Sequence, residues 1–244
     1  VRVGRLIEAP ELLQDARAIA SRMTEQRIQA DDRYDVMHGA AGAILSLLVL
    51  YDAEPDPLAL KTAVWCGNHL LRNRTMASGG CRVWTNRDGR ALAGFSHGAA
   101  GIAYALLRLF MHTRDERFRE AAREAIDYEA AIFRADSGTW PDLRVSEEEA
   151  GLTDAWCHGA AGIGLARLGS LPMLDTEAVR ADIESAVHVA RAGLTRAGKD
   201  HLCCGAMGRV DFLLSAGRRL NRRDIEREAK LRAASIVRRY SGQR

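Results

Sequence analysis

The chain has 244 residues, 47% hydrophobic and 27% charged, an ordinary balance for one large folded domain. That balance excludes a disordered chain, a collagen-like repeat and a disulfide-stapled miniprotein, and no apolar run is long enough to cross a bilayer. Basic and acidic side chains number 35 and 32, a net charge of +3 that argues against an obligate nucleic-acid binder. Five cysteines without a secretory signal point to free thiols in a reducing, cytoplasmic setting. The chain starts on Val1, which predicts that it is part of something longer.

In chain order, apolar spacing first predicts an amphipathic helix over 10–28, carrying Leu12, Leu13, Ala16, Ile19, Ala20 and Met23 on one face. A short, very apolar helix opened by glycine follows in MHGAAGAILSLLVLY (37–51), then an amphipathic helix over 56–71. CRVWTNRDGR (81–90) predicts a short hairpin turning at Asp88-Gly89. The glycine-opened pattern returns in SHGAAGIAYALLRLF (96–110), CHGAAGIGLARLG (157–169) and CCGAMGRVDFLLSAG (203–217). Amphipathic helices over 114–133, 176–194 and 222–240 alternate with them. Arg218, Arg219, Arg222, Arg223, Arg238 and Arg239 read as the solvated face of the last helix.

The first glycines, Gly39, Gly98, Gly159 and Gly205, stand 59, 61 and 46 residues apart, so the chain is a repeat protein. Helices apolar on most sides belong inside, and helices with one charged face belong outside. Such pairs cannot bury their own apolar faces and must stack. The predicted fold is all-α, an α/α toroid present as an incomplete arc of four to five hairpins, with residues 1–244 forming one domain.

Aligned on those glycines, the preceding residue is His38, His97, His158 or Cys204, and the one before it is Met37, Ser96, Cys157 or Cys203. Equivalent positions around one axis would gather Cys157, Cys203 and Cys204 at one end of the inner row. Three thiolates suit zinc and leave its fourth position open, and a helix N-terminus favours the thiolate. Small buried cysteines that only fill space are the plainer alternative. Cys66 reads as packing, Cys81 as a loop thiol, and Trp156 as a packing residue beside the metal.

The runs YDVMHGAAGAI (34–44), GFSHGAAGIAYALLRL (94–109), WCHGAAGIGLARL (156–168) and HLCCGAMGRVDFLL (201–214) resemble the cyclase domain of lanthionine synthetases. The resemblance extends over 34–215 and is nearest to the C-terminal cyclase half of bifunctional type 2 lanthipeptide synthetases. Cys203-Cys204-Gly205 stands where stand-alone cyclases usually carry Cys-His-Gly. The resemblance implies a toroid of seven hairpins with zinc held by Cys157, Cys203 and Cys204. It also implies a catalytic His97 and a supporting Asp35. The implied reaction adds a peptide cysteine thiol to dehydroalanine or dehydrobutyrine, forming a thioether. The implied partners are a dehydrated ribosomal precursor peptide and a dehydratase supplied elsewhere.

The residue chemistry agrees with that reaction. Addition produces an enolate that needs a proton, and histidine is the side chain whose ordinary pKa lies nearest neutrality. His97 also fits a satisfied helix-start residue, Asp35 a loop cap, and His158 either a support for the metal or an alternative acid. His38 is the weaker candidate in the same register. Only four glycine-led repeats and no dehydratase half are found in this sequence, so a fragment, a truncated paralogue or a chain completed by another subunit is expected. Two other readings therefore stand beside the cyclase: an inactive zinc-containing peptide scaffold, and an α/α-barrel glycosidase using carboxylates such as Asp35, Asp142 and Asp154.

Overall fold

Each glycine-opened segment is a helix that starts at its first glycine. In the computed structural model, which describes residues 1–145, 153–196 and 198–241, three short helices come first: α1 (Arg2–Leu6), α2 (Glu11–Ala20) and α3 (Glu25–Gln29). The first hairpin is α4 (Ala40–Ala53) with α5 (Pro57–Arg72), followed by strands β1 (Thr75–Met76) and β2 (Arg82–Val83). Three more hairpins follow: α6 (Ala99–Thr113) with α7 (Glu116–Ala131), α8 (Ala160–Ser170) with α9 (Glu177–Gly193), and α10 (Ala206–Arg219) with α11 (Arg223–Ser241).

The two helix types occupy the two layers that their patterning requires. The glycine-opened helices pack on one another in sequence, α4 on α6, α6 on α8 and α8 on α10, and each amphipathic helix packs behind its own partner. Ile44, Leu48, Leu106, Leu107, Ile163 and Leu213 are among the buried side chains of the inner row. Burial of each removes roughly 1.5–3 kcal/mol of unfavourable apolar exposure. Outer helices start where a polar side chain takes the first free N–H groups. Asp56 accepts from Leu58, Asp115 from Arg117 and Thr176 from Val179.

Two local expectations are corrected. The helix over 10–28 divides into α2 and α3. Ser21 Oγ turns back to the Ala18 carbonyl, and Thr24 leaves helical geometry to cap α3. Hydroxyl side chains that bond their own backbone outweigh the apolar periodicity here. Between α5 and α6 the turn at Asp88-Gly89 forms, with Gly89 at φ 74° and Thr85 bridged to Ala91. The strand pairing proper comes earlier, with Thr75 opposite Val83 and Met76 opposite Arg82. Strands of two residues carry too little alternation to be read. Among the described residues no helix is long and apolar enough to cross a membrane.

The Gly-x-x-Gly pattern has one physical cause in all four repeats. The chain wraps back over the first turn of the helix it is about to enter. N–H groups there donate to carbonyls seven residues upstream: Ala41 to Tyr34, Ala99 to Leu92, Ala160 to Thr153 and Ala206 to Lys199. These bonds satisfy donors that a helix start leaves open. The second glycine lies against the carbonyl oxygen six residues before it. Gly42 meets Val36, Gly101 Phe95, Gly162 Trp156 and Gly208 Leu202, each too close for a Cβ.

Gly162→Ala is therefore expected to destabilise the protein by about 1–3 kcal/mol or more in urea unfolding. Gly198→Ala, whose Cβ meets nothing within 4 Å, should be neutral or slightly stabilising. Equal effects would refute this account of the motif.

Candidate functional site

The loops that wrap over the helix starts also bond to one another across repeats. Val36 and Met37 N–H both point to the Ser96 carbonyl, at 3.1 and 3.3 Å. Ser96 N–H donates to the Cys157 carbonyl at 3.1 Å, and Cys157 N–H to the Cys203 carbonyl at 3.2 Å. Ser96 Oγ adds a second bond to Cys157 O at 3.1 Å. A short backbone ladder thus joins the four repeats at the residues two places before their first glycines. Side chains of that register end up side by side at one end of the inner row.

Cys157, Cys203 and Cys204 are brought together, their sulfur atoms all within 4.8 Å of one another. Zinc bonded to sulfur at about 2.3 Å sets tetrahedral sulfur–sulfur edges of about 3.8 Å, so small side-chain adjustments would close this set on an ion. The donor set fits zinc: three soft ligands, with Cys203 and Cys204 exposed on the open side. Burial, then the neighbouring Cys203 and Cys204, pushes the Cys157 thiol up to about 12, and burial followed by Cys203 raises Cys204. Crowded thiols of this kind hold their protons until a cation compensates the charge. Cys66 is a buried packing residue of α5, and burial pushes its thiol up to about 12. Cys81 lies near Asp127 and Glu124 instead of the other thiols.

Three imidazoles line up beside the sulfurs. The rings of His38 and His97 are 5.4 Å apart at an interplanar angle of 15°, and those of His97 and His158 are 5.4 Å apart at 19°. Asp35, 5% exposed, serves two of the repeats. Its Oδ1 accepts the His38 backbone N–H at 2.7 Å, and its Oδ2 lies 2.7 Å from His97 Nδ1. The loop-cap and supporting roles open for Asp35 in the sequence are therefore compatible. The Asp35 contact puts the His97 proton on Nδ1 and leaves Nε2 for exchange with a bound molecule.

The sequence profile described as "Lanthionine synthetase C-like protein" matches residues 2–243. The chain belongs to this lanthionine synthetase C-like family. Among solved structures it is similar to one titled "Nisin cyclase", with a TM-score of 0.63 and 19% identity. That match covers 89% of this chain and 63% of the nisin cyclase chain, and it establishes a shared helical fold. The chain thus spans less than two thirds of that neighbour's length. A comparison with curated proteins finds no match.

In this member of the family, two groups that the motifs did not mark hold the site in place. Glu129 of α7, fully buried, accepts Gly94 N–H and Ala100 N–H through Oε1, both at 3.0 Å. Its Oε2 meets Arg167 of α8 at 2.8 Å, and Arg167 Nε reaches Asp182 of α9 at 2.8 Å. The carboxylate therefore ties the His97 loop to the helix that follows Cys157. A signal existed in the sequence: Glu129 continues the Ala122, Ala125, Ile126 stripe, and Arg167 interrupts an apolar inner helix. The second group is Arg144, held by Asp142 through contacts of 2.5 to 3.2 Å. After burial, its positive charge is the next cause that depresses the His158 pKa, while the hydrogen bond to Asp142 is the main cause that raises its own, with Cys157 and Cys204 close enough to contribute. Asp154 is likewise committed, to Arg209 at 2.8 Å and Arg196 at 3.1 Å. Asp142 and Asp154 are thus engaged by arginines and do not present a pair of open carboxylates. Trp156 packs on Phe95 with ring centroids 5.3 Å apart.

Burial, then Arg144, pushes His158 down to about 4 from an ordinary 6.5. A depressed histidine stabilises the folded state above its unfolded pKa and loses that contribution as pH falls toward the folded one. In the metal-free protein, His158 is expected to account for about 3 kcal/mol of stability lost between pH 6.5 and pH 4. Urea unfolding at these pH values should show that part of the loss removed in His158→Phe. An identical pH profile in the variant would contradict the assignment.

Proposed function

We propose that the protein is a zinc-dependent lanthipeptide cyclase that closes thioether rings in a dehydrated precursor peptide. One observation carries the reading: three thiols from two repeats meet beside an Asp35–His97 pair. Membership of the lanthionine synthetase C-like family and the fold shared with nisin cyclase support it. Cys157, Cys203 and Cys204 would hold the zinc. Cys203-Cys204 in tandem favours the branch of bifunctional type 2 synthetases, with dehydration performed by another domain or protein.

The reaction makes one carbon–sulfur bond. The peptide thiol, as thiolate, attacks the β-carbon of a dehydroalanine or dehydrobutyrine. The alkene electrons move toward the carbonyl oxygen, and the α-carbon then takes a proton. Zinc in the three-thiol site would supply a fourth coordination position at which the substrate sulfur stays a thiolate near neutral pH. His97 is the proposed proton donor to the α-carbon. Asp35 fixes its tautomer and balances the charge of the imidazolium. His158, buried and held neutral, orients the neighbouring groups in place of carrying the proton. Arg144 supplies positive charge near the thiolates and so limits the cost of assembling several anions.

Purified protein is expected to contain about one zinc per chain, falling sharply in Cys204→Ala. A pre-dehydrated peptide should lose its free thiols and acquire thioether crosslinks, at a rate reduced roughly 10²–10⁴-fold in His97→Ala. Unchanged zinc in Cys204→Ala would overturn the ligand set. Stoichiometric zinc without any crosslinking would favour a peptide-binding scaffold over an enzyme.

A further inference from the structure

Asp35 carries more histidine than its role toward His97 requires. Besides His97 Nδ1 at 2.7 Å, His38 Nδ1 lies 3.9 Å from the same Oδ2. The three ligand atoms all fall within 4.8 Å of one another. The His38 and His97 rings stack at 15°, and each has its Nδ1 near the same carboxylate oxygen. Bonds of 2.0–2.1 Å to nitrogen and oxygen set tetrahedral edges of about 3.3 Å, between the two distances seen here. The His38 side chain is 58% exposed, so its ring can rotate to close the longer edge without disturbing the core. The exposure of His38, and of His97 to 31%, gives an ion and its waters access.

We propose that Asp35, His38 and His97 form a second divalent-metal site, distinct from the three thiols and selective for borderline ions such as Zn²⁺ and Co²⁺. Two imidazoles and one carboxylate suit those ions, and the open side leaves room for water ligands. The site is weaker than the thiol site for two reasons. An arriving ion must displace the Asp35–His97 hydrogen bond, and two imidazoles with one carboxylate offer a borderline ion less negative charge than three thiolates. Occupation takes Nδ1 of His97, so an excess of metal should inhibit thioether formation. That last consequence rests on the cyclase reading; the binding does not.

Titration of the metal-free protein with Co²⁺, followed by absorption spectroscopy, separates the two sites by ligand chemistry. The first equivalent is expected to bring thiolate-to-cobalt charge-transfer bands in the near ultraviolet. The second should add only visible ligand-field bands. His38→Ala, at an exposed position, should keep the first phase and weaken the second at least tenfold. Asp35→Asn should weaken the second phase as well, and His38→Ala decides the matter by itself if the Asp35 variant does not fold. Saturation at one equivalent in the wild type would overturn the second site, as would a second phase of equal affinity in His38→Ala. A first phase lacking thiolate bands would instead count against the thiol site, leaving the His38 dependence to judge the second.

Discussion

A backbone ladder decides where everything else at this site can stand. The peptide groups of Val36 and Met37, Ser96, Cys157 and Cys203 bond one repeat to the next. Met37, Ser96, Cys157 and Cys203 lie immediately before the positions that carry His38, His97, His158 and Cys204. Backbone bonds of this kind allow little slip, because a shift of one residue would leave buried N–H and C=O groups without partners. Four segments distant in sequence are thereby held in one register, and side chains of matching register become neighbours. The glycines make this possible by letting each loop lie directly on the helix it precedes.

Charge is then arranged around that frame. Asp35 restrains the first loop with one oxygen and the second repeat's histidine with the other. Glu129 does similar work from behind, closing the His97 loop while it pairs with Arg167 of the next inner helix. A buried pair of this type adds little net stability, but removal of either partner leaves an uncompensated charge in the core. Its value lies in fixing two repeats relative to each other. Arg144 and Asp142 complete the ring of charge close to the thiols.

Much of this was legible in the sequence because the repeat is strict at the helix starts. Alignment on Gly39, Gly98, Gly159 and Gly205 alone predicts which residues become neighbours, and the inner–outer division follows from apolar against amphipathic patterning. Where the chain is not repetitive, less could be read. The break between α2 and α3 depends on Ser21 and Thr24 turning to their own backbone, a local competition that apolar spacing does not report. The β1–β2 pair is too short to alternate. The position of Arg144 near the thiols depends on the path of a loop, for which no spacing rule exists. Register places His38 with His97, but the stacking of their rings and their sharing of one carboxylate oxygen are visible only in three dimensions.

The match spans 63% of the nisin cyclase chain, and the residues proposed to bind metal and move protons lie within the four glycine-led repeats. X-ray absorption at the zinc edge of the purified protein tests the ladder's central consequence most directly. Three sulfur neighbours at about 2.3 Å, with one lighter atom or a fourth sulfur, are predicted. A first shell made only of nitrogen and oxygen, or with a single sulfur, would contradict the convergence of Cys157 with Cys203 and Cys204 on one ion.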